Sequence, residues 1–318
     1  MRSVLTLTIL LALSEASNAS PQEPMKFESN EIQKCFPMSN TIAHDGPIGK
    51  LFQNDEFELL AQYPSKEIYE VRLTSKKSKG ALIFLGVAHV ISPNPELFQH
   101  LENTFDQATP SESYVEVSDV SYLNKLPDDK EVVIKTRGEP SYLGFIARKQ
   151  NVTVLPLEPK DIDIYASLRN FYSTDQILLT LVLREAQLER DRRQIFGERL
   201  EYSILEKIKN WNQVFKKSGD ASSIENILDF TLKVSAIWPG LDWRQVPAQW
   251  FNPLQTSNET GGIFTNEVIK MEKSTRDQHY ADLLFSRVTS GKSIVALAGR
   301  NHVYSLGIGF QCLLETMK

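Results

Sequence analysis

Apolar and polar positions change period several times along this chain. Glu67 to Thr74 (EIYEVRLT) alternates and is rich in β-formers, which predicts a strand with one buried face. Lys76 to Gly80 reads as a turn. Ala81 to Ala88 (ALIFLGVA) is a continuous apolar run, the pattern of a strand buried on both faces. Pro95 to Ala108 has helical spacing, with Pro95 suited to a first turn. Tyr114 to Ser118 (YVEVS), Glu131 to Thr136 (EVVIKT) and Val152 to Leu157 (VTVLPL) predict three more strands, with a helix over Pro140 to Lys149. This rhythm predicts an α/β fold with a mainly parallel sheet flanked by helices.

The character changes from Lys160 to about Lys233, where Leu, Glu, Arg and Gln recur at helical spacing without a strand signal. The pattern predicts several helices. The charge-dense stretch Arg184 to Arg199 reads as a solvated helix face. Trp238 to Gly262 holds three of the four tryptophans and reads either as an ordered loop or lid, or as a loop pinned to the core by its aromatics. Ser274-Thr275-Arg276-Asp277 has a capping-box pattern, so a helix is expected from near Thr275 to about Thr289. Ser290-Gly291-Lys292 breaks it, and Ser293 to Ala298 (SIVALA) is a last buried strand. A large helical insertion, 160–262, thus precedes the final strand.

Composition narrows the class. The chain has 318 residues, enough to bury a core without staples. Lys and Arg number 35 against 40 Asp and Glu, net −5, with no long basic run, so nucleic acid is not an expected partner. Met1-Arg2, the apolar run Ser3–Ser14 and the small residues of Ser17-Asn18-Ala19 read as a signal peptide, 1–19, cut after Ala19. No later stretch reaches 18 apolar residues, so no stable membrane span is expected and the product is exported, periplasmic or secreted. An N-terminal arm (20–66) and an α/β domain (67–318) follow. The two cysteines, Cys35 and Cys312, can pair in an oxidising compartment or remain two buried thiols.

The chemistry gathers at strand ends. Gly86-Val87-Ala88-His89 and Gly299-Arg300-Asn301-His302 each follow an apolar strand as Gly-x-x-His. A glycine there lets the backbone turn and a ligand approach. The histidine then faces the crevice beyond the strand ends, where open α/β sheets bind ligands. Glu116, Arg137, Glu139 and Glu158 fall at the same predicted edge, and Arg276 and His279 lie one turn apart on the late helix. Imidazole plus carboxylate is a ligand set for a divalent metal, and an adjacent Arg can hold an oxyanion. Each residue also has a structural reading: His89 as a satisfied core histidine, Glu116 as a partner of Arg137, Glu139 as a helix-start residue. His44 and His100 belong to no constellation.

The ordered set resembles the TraB/GumN/TIKI superfamily, which is related more remotely to erythromycin esterases and the haem-binding ChaN proteins. The resemblance rests on Gly86-x-x-His89, Glu116, Gly138-Glu139, Glu158, Arg276-Asp277 and Gly299-x-x-His302, in order from about Ile68 to Gly309. Arg300 and Asn301 stand where that family usually has small residues, and the insertion has no clear counterpart. The resemblance implies an α/β core whose paired motifs line one cleft. Its members include metal-dependent proteases, metal-free ester hydrolases, haem binders and proteins without demonstrated activity. The expectation is therefore an exported metal-dependent hydrolase acting on a peptide or small acyl substrate. His89, Glu116 and His302 would bind a divalent metal (Zn, Mn, Co or Fe), and Glu116 or Glu139 would be the general base. Arg276 would stabilise substrate or oxyanion, with Gly86, Arg137, Glu158 and Gly299 in support. The alternatives are a haem- or metal-binding protein without catalysis and a regulatory binding module.

Overall fold

The computed structural model describes residues 57–65, 67–88 and 94–316. The expected signal peptide, the arm up to residue 56 with Cys35 and His44, and His89 lie outside the described residues. Six strands form one mixed sheet: β1 (Phe57–Ser65), β2 (Ile68–Ser75), β3 (Ala81–Val87), β4 (Glu112–Val115), β5 (Thr153–Pro156) and β6 (Ser293–Gly299). Their spatial order is β1-β2-β3-β6-β4-β5. The β1–β2 and β2–β3 pairs are antiparallel, and β3–β6, β6–β4 and β4–β5 are parallel. In chain order the helices are α1 (Pro95–Ala108), α2 (Lys130–Lys149), α3 (Asp161–Leu168), α4 (Thr174–Asp191), α5 (Gly197–Lys217), α6 (Ile227–Ile237), the single turn α7 (Ser257–Thr260), α8 (Thr265–Thr289) and α9 (Arg300–Thr316).

The apolar runs behave as doubly buried strands because successive side chains point to opposite faces. Ile83, Leu85 and Val87 of β3 join Val295 and Leu297 of β6 in a core under α1 and α2. Leu82, Phe84, Ile294, Ala296 and Ala298 face the other way, against α8 and α9, where Cys312 also packs. A third core lies within the insertion: Leu178, Leu179, Val182, Ile204, Ile208 and Phe230 close its helices on one another, the loop residues Ile224 and Val246 pack with them, and Val268 and Ile269 of α8 join. Among the described residues no helix is long and apolar enough to cross a membrane.

Three expectations are corrected. The strand expected over Glu131–Thr136 is the first half of α2. The Asp129 carboxylate caps it, accepting from the backbone N–H groups of Glu131 and Val132 at 2.8 and 3.2 Å. Val133 is fully buried while Val132 is exposed, so helical packing overrides the β-branched composition. Gly138, with φ 73°, breaks the axis, and the helical segment through Pro140 follows as expected. The late helix begins at Thr265, not near Thr275, because Ser274 to Asp277 lie inside it and form no capping box. Phe57–Ser65, placed in the arm by sequence, is an edge strand.

The Trp238–Gly262 segment is pinned. Trp238 and Trp250 are buried and donate their indole N–H groups to the carbonyls of Gly261 (3.2 Å) and Thr260 (2.9 Å). Trp243 donates to the Thr231 hydroxyl at 3.1 Å. Buried indoles with satisfied N–H groups fix the loop as a wall.

On the α1 side of β2, the Glu70 carboxylate is wholly buried yet fully served. It accepts from Arg72 Nε, from Gln62 Nε2 at 2.8 Å and from His100 Nε2 at 3.0 Å. Burial pushes its pKa up, but the bonds from His100, Arg72 and Gln62 outweigh that and hold it at about 2, against 4.5 for the free side chain. A depressed carboxylate stabilises the fold above its unfolded pKa and loses that contribution as pH falls towards its folded pKa. Wild-type protein is therefore expected to lose at most about 3 kcal/mol from this group between pH 4.5 and 2. Glu70→Gln should start less stable at pH 7 and show a shallower loss over that window. Equal slopes in thermal unfolding across pH 2–7 would contradict the assignment.

Candidate functional site

Parallel pairing brings several carboxyl ends of strands to one edge. Glu116 directly follows β4, and its N–H donates to the Leu297 carbonyl at 3.1 Å. Glu158 follows β5 after one residue. Val87, at the end of β3, is in register with Gly299, at the end of β6. Helix α9 starts at Arg300 without a loop, so His302 sits in its first turn. Gly86 has a specific reason to lack a side chain. A Cβ there would lie 2.8 Å from Val303 Cβ and 3.0 Å from Arg300 Cα. The glycine admits the first turn of α9 against β3; the close approach is made by the helix, not by a ligand.

Helix α8 brings the opposing groups. Glu272, Lys273, Arg276, Asp277 and Tyr280 recur at the i, i+1, i+4, i+5, i+8 spacing that shares one helical face, and all five are buried. Arg276 is the hub. Its Nη2 donates to Glu116 Oε1 at 2.5 Å, to Glu158 Oε1 and to the Tyr280 hydroxyl at 3.1 Å. Nε donates to Glu158 Oε2 at 2.9 Å, and Nη1 reaches Glu272 at 3.4 Å. Glu116 Oε2 also accepts from the Gly299 N–H, which places an anion at the positive end of α9.

His302 is 8% exposed and is oriented from α8. The Asp277 carboxylate meets Nδ1, and a carboxylate can only accept, so Nδ1 carries the proton and Nε2 is the basic nitrogen. That Nε2 lies 3.8 Å from Glu116 Oε1. Lys273 Nζ holds the other Asp277 oxygen at 2.5 Å and donates to Ser305 Oγ at 2.9 Å.

Burial sets the electrostatics. It opposes the Arg276 charge, yet Glu272, Tyr280, Glu158 and Glu116 outweigh it and hold the guanidinium pKa well above the ordinary value. Burial pushes the Glu158 carboxyl above its usual range; Arg276 opposes this and the like charge of Glu116 adds to it. Burial also acts on Glu272, but Arg184, Arg276 and His302 together lower its pKa.

Glu116, Arg276, Gly299 and His302 open onto a cavity of about 490 Å³. That is within the range of small-molecule sites. Its far wall comes from the insertion: Arg184, Gln187, Leu188 and Arg192 of the α4 segment, and the pinned loop at Ala248 and Phe251–Pro253. The Arg184–Arg199 stretch is thus not only a solvated face. Arg184 is directed inward and pairs with Glu272 at 3.1 Å.

The structure brings together Glu116, Glu158, Arg276, Gly299 and His302. Arg137 is exposed on α2, where it follows a helix and not a strand. Glu139 is buried in α2 beside the Gly138 break and does not line the cavity. His279 lies off the cavity, and burial lowers its pKa while Asp163 opposes the shift. No group of three or more His, Cys, Asp or Glu side chains among the described residues is placed to hold a metal ion. Glu272, Lys273 and Arg184 were not anticipated, and Asp277 was anticipated only as the neighbour of Arg276 and as part of a capping pattern, not as the partner of His302. The signal that could have found those on α8 is the polar stripe from 272 to 280, too charged for the buried helix that its flanks require. A scan of family models, a search of curated proteins and a search of solved structures each find no match for this chain.

Proposed function

We propose that this protein is an exported hydrolase of acyl bonds in which His302 acts as general base. The observation that carries this reading is the Asp277–His302 pair at the floor of the cavity, with Nε2 as the basic nitrogen. Nε2 takes a proton from water, the hydroxide oxygen bonds to the acyl carbonyl carbon, and the carbon–heteroatom bond breaks as Nε2–H returns the proton to the leaving group. Asp277 fixes the tautomer and stabilises the imidazolium, as the acid does in a Ser-His-Asp triad. Arg276 contributes positive potential beside the reacting carbonyl, and Glu116 anchors Arg276. The resemblance to the TraB/GumN/TIKI superfamily is compatible with this chemistry.

A divalent metal on His302 Nε2, with Glu116 and His89, is the second reading. What favours it is the carboxylate held on Nδ1, the outer-shell partner that metal-ligating histidines ordinarily have. The test is hydrolysis of short-chain p-nitrophenyl esters and a fluorogenic peptide mixture. It is run on the protein as purified, after chelation, and after restoring Zn²⁺, Mn²⁺, Co²⁺ or Fe²⁺. Turnover that survives chelation supports the general-base reading. Turnover lost on chelation and regained with one ion supports the metal reading. No turnover in any arm overturns both.

A further inference from the structure

We propose that the cavity recognises an acyl substrate carrying a carboxylate or phosphate group, held at the α4 wall by Arg184 and Arg192; this rests on the hydrolase reading above. The lining contains five cationic side chains, Arg184, Arg192, Lys273, Arg276 and Arg300, against two acids, Glu116 and Glu272. The chain as a whole carries −5, so the cationic lining is a local feature against an acidic background.

The cations divide by position. Arg276 and Lys273 are on the floor, committed to Glu116, Glu158 and Asp277. Arg184 and Arg192 are on the wall. They are two turns apart on the same stripe as Gln187 and Leu188, so helical spacing aims all four at the cavity. Arg184 pairs with Glu272 but remains 29% exposed on its side chain, leaving guanidinium edge for a ligand. Arg192 is exposed at the end of α4, and its side chain has no ion-pair partner among the described residues.

A guanidinium fork matches the two oxygens of a carboxylate or phosphate. Leu188, Ala248, Phe251, Pro253 and Ile269 supply apolar surface between the wall and the floor. A substrate with an anionic end, a short hydrocarbon body and an acyl group at the other end meets each of these surfaces in turn. The departures Arg300 and Asn301 in the second Gly-x-x-His line the same cavity and add to its polarity.

The test is equilibrium binding by titration calorimetry on the full chain. It uses His302→Gln protein so that no turnover intrudes, with monomethyl adipate, n-butyl phosphate and the neutral methyl hexanoate as probes. At least one anion should bind saturably and more tightly than the neutral ester, the tighter anion naming the preferred group. Arg192→Gln should weaken that anion about tenfold or more, the loss of one charge-assisted contact, and leave the neutral ester unchanged. Raising salt from 50 to 500 mM should weaken the anion selectively. Arg192 is exposed, so its replacement should leave the melting temperature in place. Equal affinity for charged and neutral probes, or no effect of Arg192→Gln, overturns the inference, even where wild-type protein hydrolyses neutral esters. Anion binding without hydrolysis in the earlier assay overturns the hydrolase reading alone.

Discussion

His302→Ala is expected to lower acyl hydrolysis by about 10²–10⁴-fold, the usual contribution of a positioned general base. The ring packs 5.3 Å from Tyr280, and its Nδ1 lies on Asp277. Removing it also leaves Asp277 with Lys273 alone, a pair that is already charge-balanced, so the protein should fold. Asp277→Asn is the sharper companion. An amide can donate to Nδ1 and so favours the tautomer with the proton on Nε2, which cannot accept from water. A rate drop with unchanged KM and unchanged melting temperature fits this role. A His302→Ala protein that keeps the wild-type rate would end the general-base assignment.

Arg276→Ala is expected to be the most destabilising substitution in the site. The side chain is 9% exposed and shared by three carboxylates. Deleting the hub leaves Glu116, Glu158 and Glu272 buried around a missing charge. Breaking such a cluster from one side costs about 3–5 kcal/mol. For a chain of this size that is roughly 6–20 °C in melting temperature. Arg276→Lys should recover only part, because a single ammonium cannot reach three acids as a planar fork does. Acid should relieve the Ala variant relative to wild type, since protonation removes the uncompensated charges. A melting temperature within about 2 °C of wild type would show that the acids are solvated or otherwise paired.

The legible parts of this fold are those where period and burial agree. β2 announced itself by alternation, and β3 and β6 by unbroken apolar runs of strand length. The edge of the sheet was then readable, because the residue after an apolar strand in a parallel sheet has few other places to be. Glu116, Glu158 and the second Gly-x-x-His therefore came together as a set. What failed were segments whose environment is set from far away. EVVIKT has strand composition, yet one aspartate cap and a single buried valine make it a helix. Ser274 to Asp277 has a local capping pattern, but the Asp277 carboxylate is used by His302, 25 positions on. The first ten residues of α8 show little amphipathic signal because the helix is buried on most sides, with its polar groups neutralised by partners on other elements. Arg184 and Arg192 looked like ordinary solvated charges because nothing local says that α4 faces a sheet edge.

Helix α8 has 25 residues, a rod of about 38 Å. One end is built into the helical core through Val268 and Ile269, and the other into the sheet core from Tyr280 to Val288. One continuous helix fixed into both cores gives the cleft between them no hinge within α8. A guest of the proposed kind would then be recognised by the shape and charge the cleft already has. Under the proposed function the floor would stay open to the water that the reaction consumes. Such a cleft suits a reaction in which water is the co-substrate and is poorly suited to one whose intermediates must be kept dry.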